Sequence, residues 1–103
     1  MKPVRYHILL ALADGAQHGA EVRRRVAEQS EAAVKVYPAM LYGSLDELTA
    51  AEWIRETEPP SPESDQTRWR FYALTLEGRA ALEAETKRLE SVVARARASL
   101  RPA

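Results

Sequence analysis

The amino-acid sequence predicts a mainly α-helical (α+β) domain with four helices and one β-hairpin. Apolar residues recur with helical spacing in four separate segments of the chain. Between the third and fourth of these segments, residues 68–74 alternate and are rich in aromatic side chains, which is typical of a strand. The 103 residues are enough for one domain, and these elements fill it.

The first three helices are short. The first is predicted over residues 3–13 and begins at a proline, which suits an opening turn. The second follows a His-Gly pair and runs to about residue 30. The third covers residues 38–50 and carries a core stripe at i, i+4 and i+7. This stripe consists of Leu41, Leu45 and Leu48.

The proline-rich, acidic segment after Glu58 is predicted to be a loop tip, because prolines and acidic residues favour turns. One short strand begins near Trp53 and Ile54, and the second spans residues 68–74. Two strands around one tip predict a β-hairpin. Thr75 is then a good N-cap for a last helix over residues 76–100.

This last helix carries an apolar seam with heptad-like steps of four and three residues. The seam contains Leu82, Thr86, Leu89, Val93, Ala96 and Leu100. The short helices before it cannot cover so long a stripe, and a second copy of the chain could. The alternative is that the helix packs only on its own domain, which would leave the C-terminal half of the stripe exposed to water.

Composition excludes several classes of protein. No apolar run approaches the ~20 residues of a membrane span, and no segment resembles a secretory signal, so we expect a cytoplasmic protein. The chain has no cysteine, which excludes disulfides and thiolate chemistry. Fifteen basic residues balance fifteen acidic ones, so a nucleic-acid partner requires a local basic patch rather than an overall positive charge.

The order helix, helix, helix, hairpin, helix is that of a winged helix-turn-helix with a two-stranded wing and a C-terminal dimerisation helix. We expect residues 1–75 to form the DNA-binding domain and residues 76–103 the dimerisation helix. In this arrangement the N-terminal residues of the third helix lie nearest the bases of the DNA major groove.

The residues also resemble those of the PadR family of transcriptional regulators. The matching pieces span about residues 4–90: a His-Gly pair before the second helix, a P-x-x-L-Y-x-x-L-x-x-L string from Pro38 to Leu48, and a Y-x-L-T-x-x-G ending from Tyr72 to Gly78. The resemblance implies a bacterial or archaeal repressor that binds double-stranded DNA as a homodimer. It also implies dimerisation through the C-terminal helix and release by a small-molecule effector, which no residue here identifies.

The sequence departs from the family pattern at three places. Ala20 replaces a frequent aromatic residue, and Glu52-Trp53 replaces a common glycine-leucine pair. Ala39-Met40 replaces the usual small residue and hydroxyl residue at the start of the third helix. This third difference removes a candidate phosphate or base contact, so it affects the operator sequence and leaves the fold unchanged.

We predict that the DNA-binding residues come from the third helix, the residues just before it, and the wing. Arg68 and Arg70 are candidates for contacts with the DNA backbone or minor groove, although acidic residues in the same hairpin oppose this role. Solvation or packing is the competing interpretation for each residue. The predicted set is Lys35, Ala39, Met40, Tyr42, Gly43, Ser44, Arg68 and Arg70. The predicted dimer interface is Leu82, Leu89, Val93, Ala96 and Leu100.

Other chemistry has little support in the sequence. His7 and His18 lack the partners of a metal site, and Trp53 and Trp69 are expected to pack rather than stack on a ligand. No constellation of an enzyme is present, so we expect no catalysis and no cofactor. The arginine run at residues 23–25 is expected to be mostly solvated. The competing function is a winged-helix module for protein interaction or dimerisation that does not bind DNA.

Overall fold

The computed structural model of the protein describes residues 1–59 and 70–102. The chain forms, in order, α1 (Pro3–Ala11), β1 (Gln17–His18), α2 (Gly19–Gln29), α3 (Pro38–Ala50), β2 (Ile54–Thr57), β3 (Phe71–Leu74) and α4 (Leu76–Leu100). The four predicted helices and the hairpin strands are confirmed. The bounds of α3 and α4 match the prediction, whereas α1 ends two residues before the predicted position 13.

The sheet has three antiparallel strands in the order β1-β3-β2 rather than two. In the hairpin, Ile54 faces Leu74 and Thr57 faces Phe71. On the other side of β3, Gln17 and His18 pair with Tyr72 and Phe71. Strand β1 was not predicted, because two residues are too few to show an alternating pattern. The consequence is that β1 ties the start of α2 to the wing.

The helices meet in one core that is built from the predicted stripes. Val22 and Val26 of α2 are completely buried, and each leucine of the α3 stripe is at most 1% exposed. Helix α1 contacts α2, α3 and α4, so it lies at the centre of the helical layer. The side chains that fill the core from the other elements are Ile8, Leu9, Ala11, Leu12, Ile54, Tyr72 and Leu82.

The junction between the wing and α4 is tightly built. Thr75 is the N-cap of α4 as predicted, and its Oγ1 accepts a hydrogen bond from the Gly78 N–H at 3.0 Å. The same hydroxyl donates to the Glu52 carbonyl at 2.6 Å. A Cβ atom at position 78 would lie 1.9 Å from the Trp53 carbonyl oxygen. Only glycine therefore allows the first turn of α4 to pack against the chain that enters β2.

Helix α4 has two halves with different environments. Its first half packs on the rest of the domain and buries Leu82 and Glu85. Arg88 Nε donates to Glu85 Oε1 at 2.6 Å, and this guanidinium holds the pKa of Glu85 at about 2. From Ser91 to Pro102 every described side chain is exposed. The assignment of residues 76–103 to a separate dimerisation unit stays a prediction, although the buried first half shows that α4 also completes the core.

Two glycines in helices give a matched pair of stability predictions. We expect Gly78→Ala to lower the free energy of unfolding by more than about 2 kcal/mol, because the new methyl group overlaps backbone that has no room to move. For a domain of this size, that loss lowers the melting temperature by about 8 °C or more. Thermal unfolding followed by circular dichroism measures the change.

Gly43→Ala is the control, because no atom lies within 4 Å of a Cβ at position 43. Alanine in mid-helix should therefore stabilise the domain by up to about 1 kcal/mol. A Gly78→Ala protein that melts at the wild-type temperature would contradict this account of the α4 junction.

Candidate DNA-binding surface

The outer face of the first half of α3 is exposed and uncharged. Ala39, Met40, Tyr42 and Gly43 all lie on it, and Met40 is 47% exposed. The face exists because the leucines on the opposite side are held in the core, so the remaining side chains must face water. The structure thus brings four of the predicted residues together on one surface.

Ser44 does not belong to this surface. It is only 8% exposed, because it lies three residues after Leu41 and four before Leu48 and therefore shares their buried side of the helix. Its predicted contact with DNA therefore has little exposed surface to support it. The helical spacing of the leucine stripe already contained the signal that a serine at this position faces inward.

Tyr42 connects three elements. Its ring lies over Gly19 at the start of α2, where a Cβ atom would come within 2.9 Å of the Tyr42 hydroxyl oxygen. A cleft of about 210 Å³ beside this contact is lined by His18, Gly19, Ala20, Tyr42 and Arg70. Tyr42 therefore packs on α2 and at the same time keeps 46% of its surface exposed, so the two interpretations of this residue are compatible.

Arg70 lies at the base of the wing, where β3 begins. Its Nε is 3.6 Å from Glu56 Oε1 across the hairpin. A hydrogen bond with Tyr72, followed by the charge of Glu56, raises the pKa of Arg70 further above its ordinary value, so the side chain stays cationic. Burial raises the pKa of Tyr72. Arg68, the other predicted wing contact, lies outside the described residues, as does Trp69.

Lys35 lies at the other end of the surface, three residues before Pro38. It is exposed and, within residues 1–59 and 70–102, forms no ion pair. It lines a groove of about 240 Å³ with Tyr37, the N-cap residue of α3. Arg23 orders the same connector, because its Nε donates to the Val36 carbonyl at 2.7 Å. Lys35 thus offers an unpaired positive charge beside the N-terminus of α3, where the helix dipole also favours anions.

The other arginines of α2 are occupied by carboxylates of the same chain. Arg24 pairs with Glu21 and Glu28 at 2.6 Å each, and Arg25 pairs with Glu21 at 3.2 Å. The hydrogen bond from Arg24 lowers the pKa of Glu21 to about 2. These pairs leave little free positive charge on this side of α2, which fits the expectation of a solvated face.

The exposed half of α4 carries the predicted apolar stripe. Val93 is 49% exposed and Leu100 is 81% exposed, whereas Leu89 is half-buried and Ala96 is exposed. Leu82 is only 8% exposed and lies in the core, in the half of α4 that packs on its own domain, so it offers little surface for the predicted dimer contact. The outward stripe begins about two turns later.

An open cavity of about 450 Å³ lies where α1 meets this stripe. Tyr6, Thr86, Leu89 and Val93 are among its lining residues. The Tyr6 hydroxyl and Thr86 Oγ1 form a hydrogen bond of 2.8 Å that joins α1 to α4 at its edge. The cavity is mostly apolar, so it is suited to a small molecule with apolar surface or to side chains of a second chain.

The remaining candidates have structural roles. Trp53 packs against the core. Gln29 Nε2 lies 3.1 Å from His7 Nδ1 and donates to the His7 carbonyl at 2.6 Å, and burial lowers the pKa of His7. His18 Nδ1 accepts a hydrogen bond from the Glu21 N–H and so acts as the N-cap of α2. In the part of the chain that the structure describes, no group of three or more His, Cys, Asp or Glu residues could hold a metal ion.

Sequence comparison identifies the family of this chain. The profile of the Transcriptional regulator PadR-like family matches residues 8–84. The chain belongs to this family. A PadR-like protein is a DNA-binding transcriptional regulator rather than an enzyme, so the resemblance in the sequence is confirmed. None of the curated proteins matches this PadR-like chain.

Solved structures share the fold across nearly the whole chain. A PadR family transcription regulator from Clostridium difficile R20291 superposes with a TM-score of 0.83 at 21% identity, covering 97% of this chain and 100% of that one. F93 from STIV, a winged-helix DNA-binding protein, superposes with a TM-score of 0.73 at 20% identity. The match covers 90% of this chain and 94% of F93. BpsR of Bordetella bronchiseptica, whose DNA binding is regulated by 6-hydroxynicotinic acid, superposes with a TM-score of 0.71 at 22% identity. The match covers 99% of this chain and 69% of BpsR.

These structures confirm the predicted winged-helix fold with its long C-terminal helix. Among the described residues of this PadR-like chain, no helix is both long enough and apolar enough to cross a membrane. The individual DNA-contacting and dimer-contacting residues stay predictions.

The contact between Tyr42 and Gly19 gives a coupling prediction. We expect Gly19→Ala to push the Tyr42 ring outward and so change the shape of the surface. Because the ring can move, the free energy of unfolding should fall by only about 1 kcal/mol. In a Tyr42→Ala background the same Gly19→Ala change should cost almost nothing. Denaturant unfolding of the two single variants and the double variant measures the coupling. Additive costs would show that Tyr42 does not pack on α2.

Proposed function

We propose that this PadR-like protein is a homodimeric repressor that binds a specific DNA sequence and is released by a small-molecule effector. The observation that carries the proposal is the exposed outer face of α3 with a cation at each side. Lys35 precedes the helix, and Arg70 lines the same cleft as Tyr42. A winged helix places this part of α3 in the major groove.

The charged and the uncharged residues of this surface have different roles in DNA binding. Lys35 and Arg70 supply contacts to phosphates, which give salt-dependent affinity for any duplex. We include Arg68 in this set on the sequence alone. Ala39, Met40, Tyr42 and Gly43 face the bases and supply the selectivity. This division explains how a chain with no net charge can bind DNA. Within the described residues Lys35 forms no ion pair, and Arg70 makes one contact of 3.6 Å with Glu56, whereas Arg24 of α2 is held by two carboxylates at 2.6 Å.

A second copy of the chain supplies the other half of the DNA-binding surface. We propose that Leu89, Val93, Ala96 and Leu100 pack against the same residues of the partner, which removes the exposed stripe from water. Two α3 helices held in this way would reach half-sites about one helical turn apart. Occupation of both half-sites blocks transcription sterically. The protein would act in the cytoplasm, where prokaryotic DNA is found.

The cavity between α1 and α4 is the candidate effector site. It borders the proposed dimer stripe, and α1 also contacts α3, so a ligand there could favour one spacing of the two α3 helices over another. BpsR, which shares the fold, is regulated by a small aromatic acid, and this supports a ligand of similar size here. Membership of a DNA-binding family argues against the competing interaction module.

Removal of a phosphate contact should change the salt dependence of DNA binding. For Lys35→Ala and Arg70→Ala we expect weaker binding to all duplexes, and a slope of log affinity against log salt that is shallower by about 1 in each case. Fluorescence anisotropy with a selected operator and an unrelated duplex, at several salt concentrations, measures this. Arg24→Ala is the matched control and should keep the wild-type slope, because Arg24 is already paired with two carboxylates. Wild-type slopes for both test variants would refute the proposed phosphate contacts.

A charge in the α4 stripe should abolish the dimer. Val93→Glu would bury a carboxylate without a partner at the proposed interface, so we expect a monomer that retains its fold but loses operator affinity. Leu76→Glu is the control, because Leu76 is 84% exposed and lies outside the seam, so this variant should stay dimeric. Sedimentation equilibrium distinguishes the two states. A Val93→Glu protein that remains dimeric would place the interface elsewhere.

A further inference from the structure

The part of α3 that faces the bases has almost no side chain able to read them by hydrogen bonding. Base edges are read by charged, amide and hydroxyl side chains. From Pro38 to Gly43 the only such group is the Tyr42 hydroxyl, and it lies against Gly19. Ser44, the next hydroxyl along the helix, is buried.

The polar residues further along α3 do not replace these groups. Glu47 is engaged in an ion pair with Arg5, and Thr49 Oγ1 donates to the Leu45 carbonyl at 2.7 Å. Asp46 is exposed, but it lies in the C-terminal half of the helix, whereas the N-terminal residues of a recognition helix lie nearest the bases. Its negative charge is also repelled by phosphates.

What this face offers instead is apolar surface. Met40 is 47% exposed, Ala39 is exposed, and Gly43 has open space where a side chain would stand. The open position lets the helix backbone approach the groove, and the flexible thioether of Met40 adapts to an irregular apolar partner. In the major groove the apolar group that distinguishes one base from the others is the C5-methyl group of thymine.

We propose that this protein recognises T·A base pairs by holding thymine C5-methyl groups against Met40 and Ala39. The inference rests on the proposed function, in which α3 lies in the major groove. Each half-site of the operator then contains at least one thymine whose methyl group leaves water when α3 binds. Met40 is the specificity-determining residue, and selectivity comes from apolar contact rather than from hydrogen bonds to base edges.

Methyl recognition predicts how much affinity each thymine contributes. Burying one methyl group changes affinity by about fourfold, whereas a bidentate hydrogen-bonded contact discriminates by about 5- to 150-fold. The operator should therefore tolerate substitutions better than one read by arginine or asparagine, and each methyl contact should be measurable one at a time.

The test uses the full chain and a duplex obtained by selection from random sequences. Each thymine in that duplex is replaced in turn by deoxyuridine, which removes the methyl group and keeps every hydrogen-bonding group. With the wild-type protein we expect about fourfold weaker binding at one or two positions in each half-site and no change elsewhere. With Met40→Ala the penalty at those positions should disappear, and with Met40→Leu it should remain.

The outcomes separate the inference from the proposed function. Specific binding that is insensitive to every deoxyuridine overturns methyl recognition. A penalty that persists in both Met40→Ala and Ala39→Gly overturns the assignment of the methyl contact to these two residues. Either result leaves the repressor intact. Failure to select any sequence overturns both. Met40 is exposed, so its variants should fold, and thermal melts monitored by circular dichroism establish that they do.

Discussion

The burial of one side of α3 is the constraint on which the rest of the structure depends. Leu41, Leu45 and Leu48 are each at most 1% exposed, and a buried leucine contributes about 1.5–3 kcal/mol. Together these three outweigh the cost of about 1 kcal/mol for a glycine in the middle of the helix. One side of the helix is therefore fixed in the core, and the opposite side, with Met40 and Gly43, remains exposed.

The central position of α1 connects this face to the rest of the molecule. Arg5 pairs with Glu47 on α3, and Tyr6, the next residue, is bonded to Thr86 on α4. Two adjacent side chains of one short helix thus join α3, which we propose contacts DNA, to α4, which we propose forms the dimer. The close contact of Gly78 with Trp53 fixes where α4 leaves the wing. We propose that a change at the α1–α4 cavity reaches α3 through α1, which contacts both helices.

The sequence predicted most of the fold because its signals are local. Pro38, the leucine stripe and the Thr75 cap act within a few residues of themselves, and each was located correctly. The third strand was missed because Gln17 and His18 become a strand only by pairing with β3, which is distant in sequence. The burial of Glu85 was missed for a related reason. Its partner Arg88 lies three residues away on the same helix, but only the packing of α4 on the domain buries the carboxylate.

The candidate site was predicted less completely because a helical face has to be assigned to the core or to solvent by packing. Ser44 and Leu82 were both placed on outer surfaces, and both lie inside. Tyr42 was assigned either to packing or to DNA, and the structure shows how one ring can pack on Gly19 and remain half exposed. Arg24 and Arg25 pair with carboxylates three and four residues away on the same helix. The pair between Arg70 and Glu56 instead depends on the register of the hairpin, which spacing in the sequence does not reveal.

We propose that the outer face of α3 is the surface that contacts DNA. Amide chemical shifts recorded while a selected operator is added would test this directly. We expect the largest changes at Ala39, Met40 and Gly43, and smaller changes at Lys35 and Arg70. Changes confined to the exposed half of α4, with the amides of α3 unmoved, would contradict it.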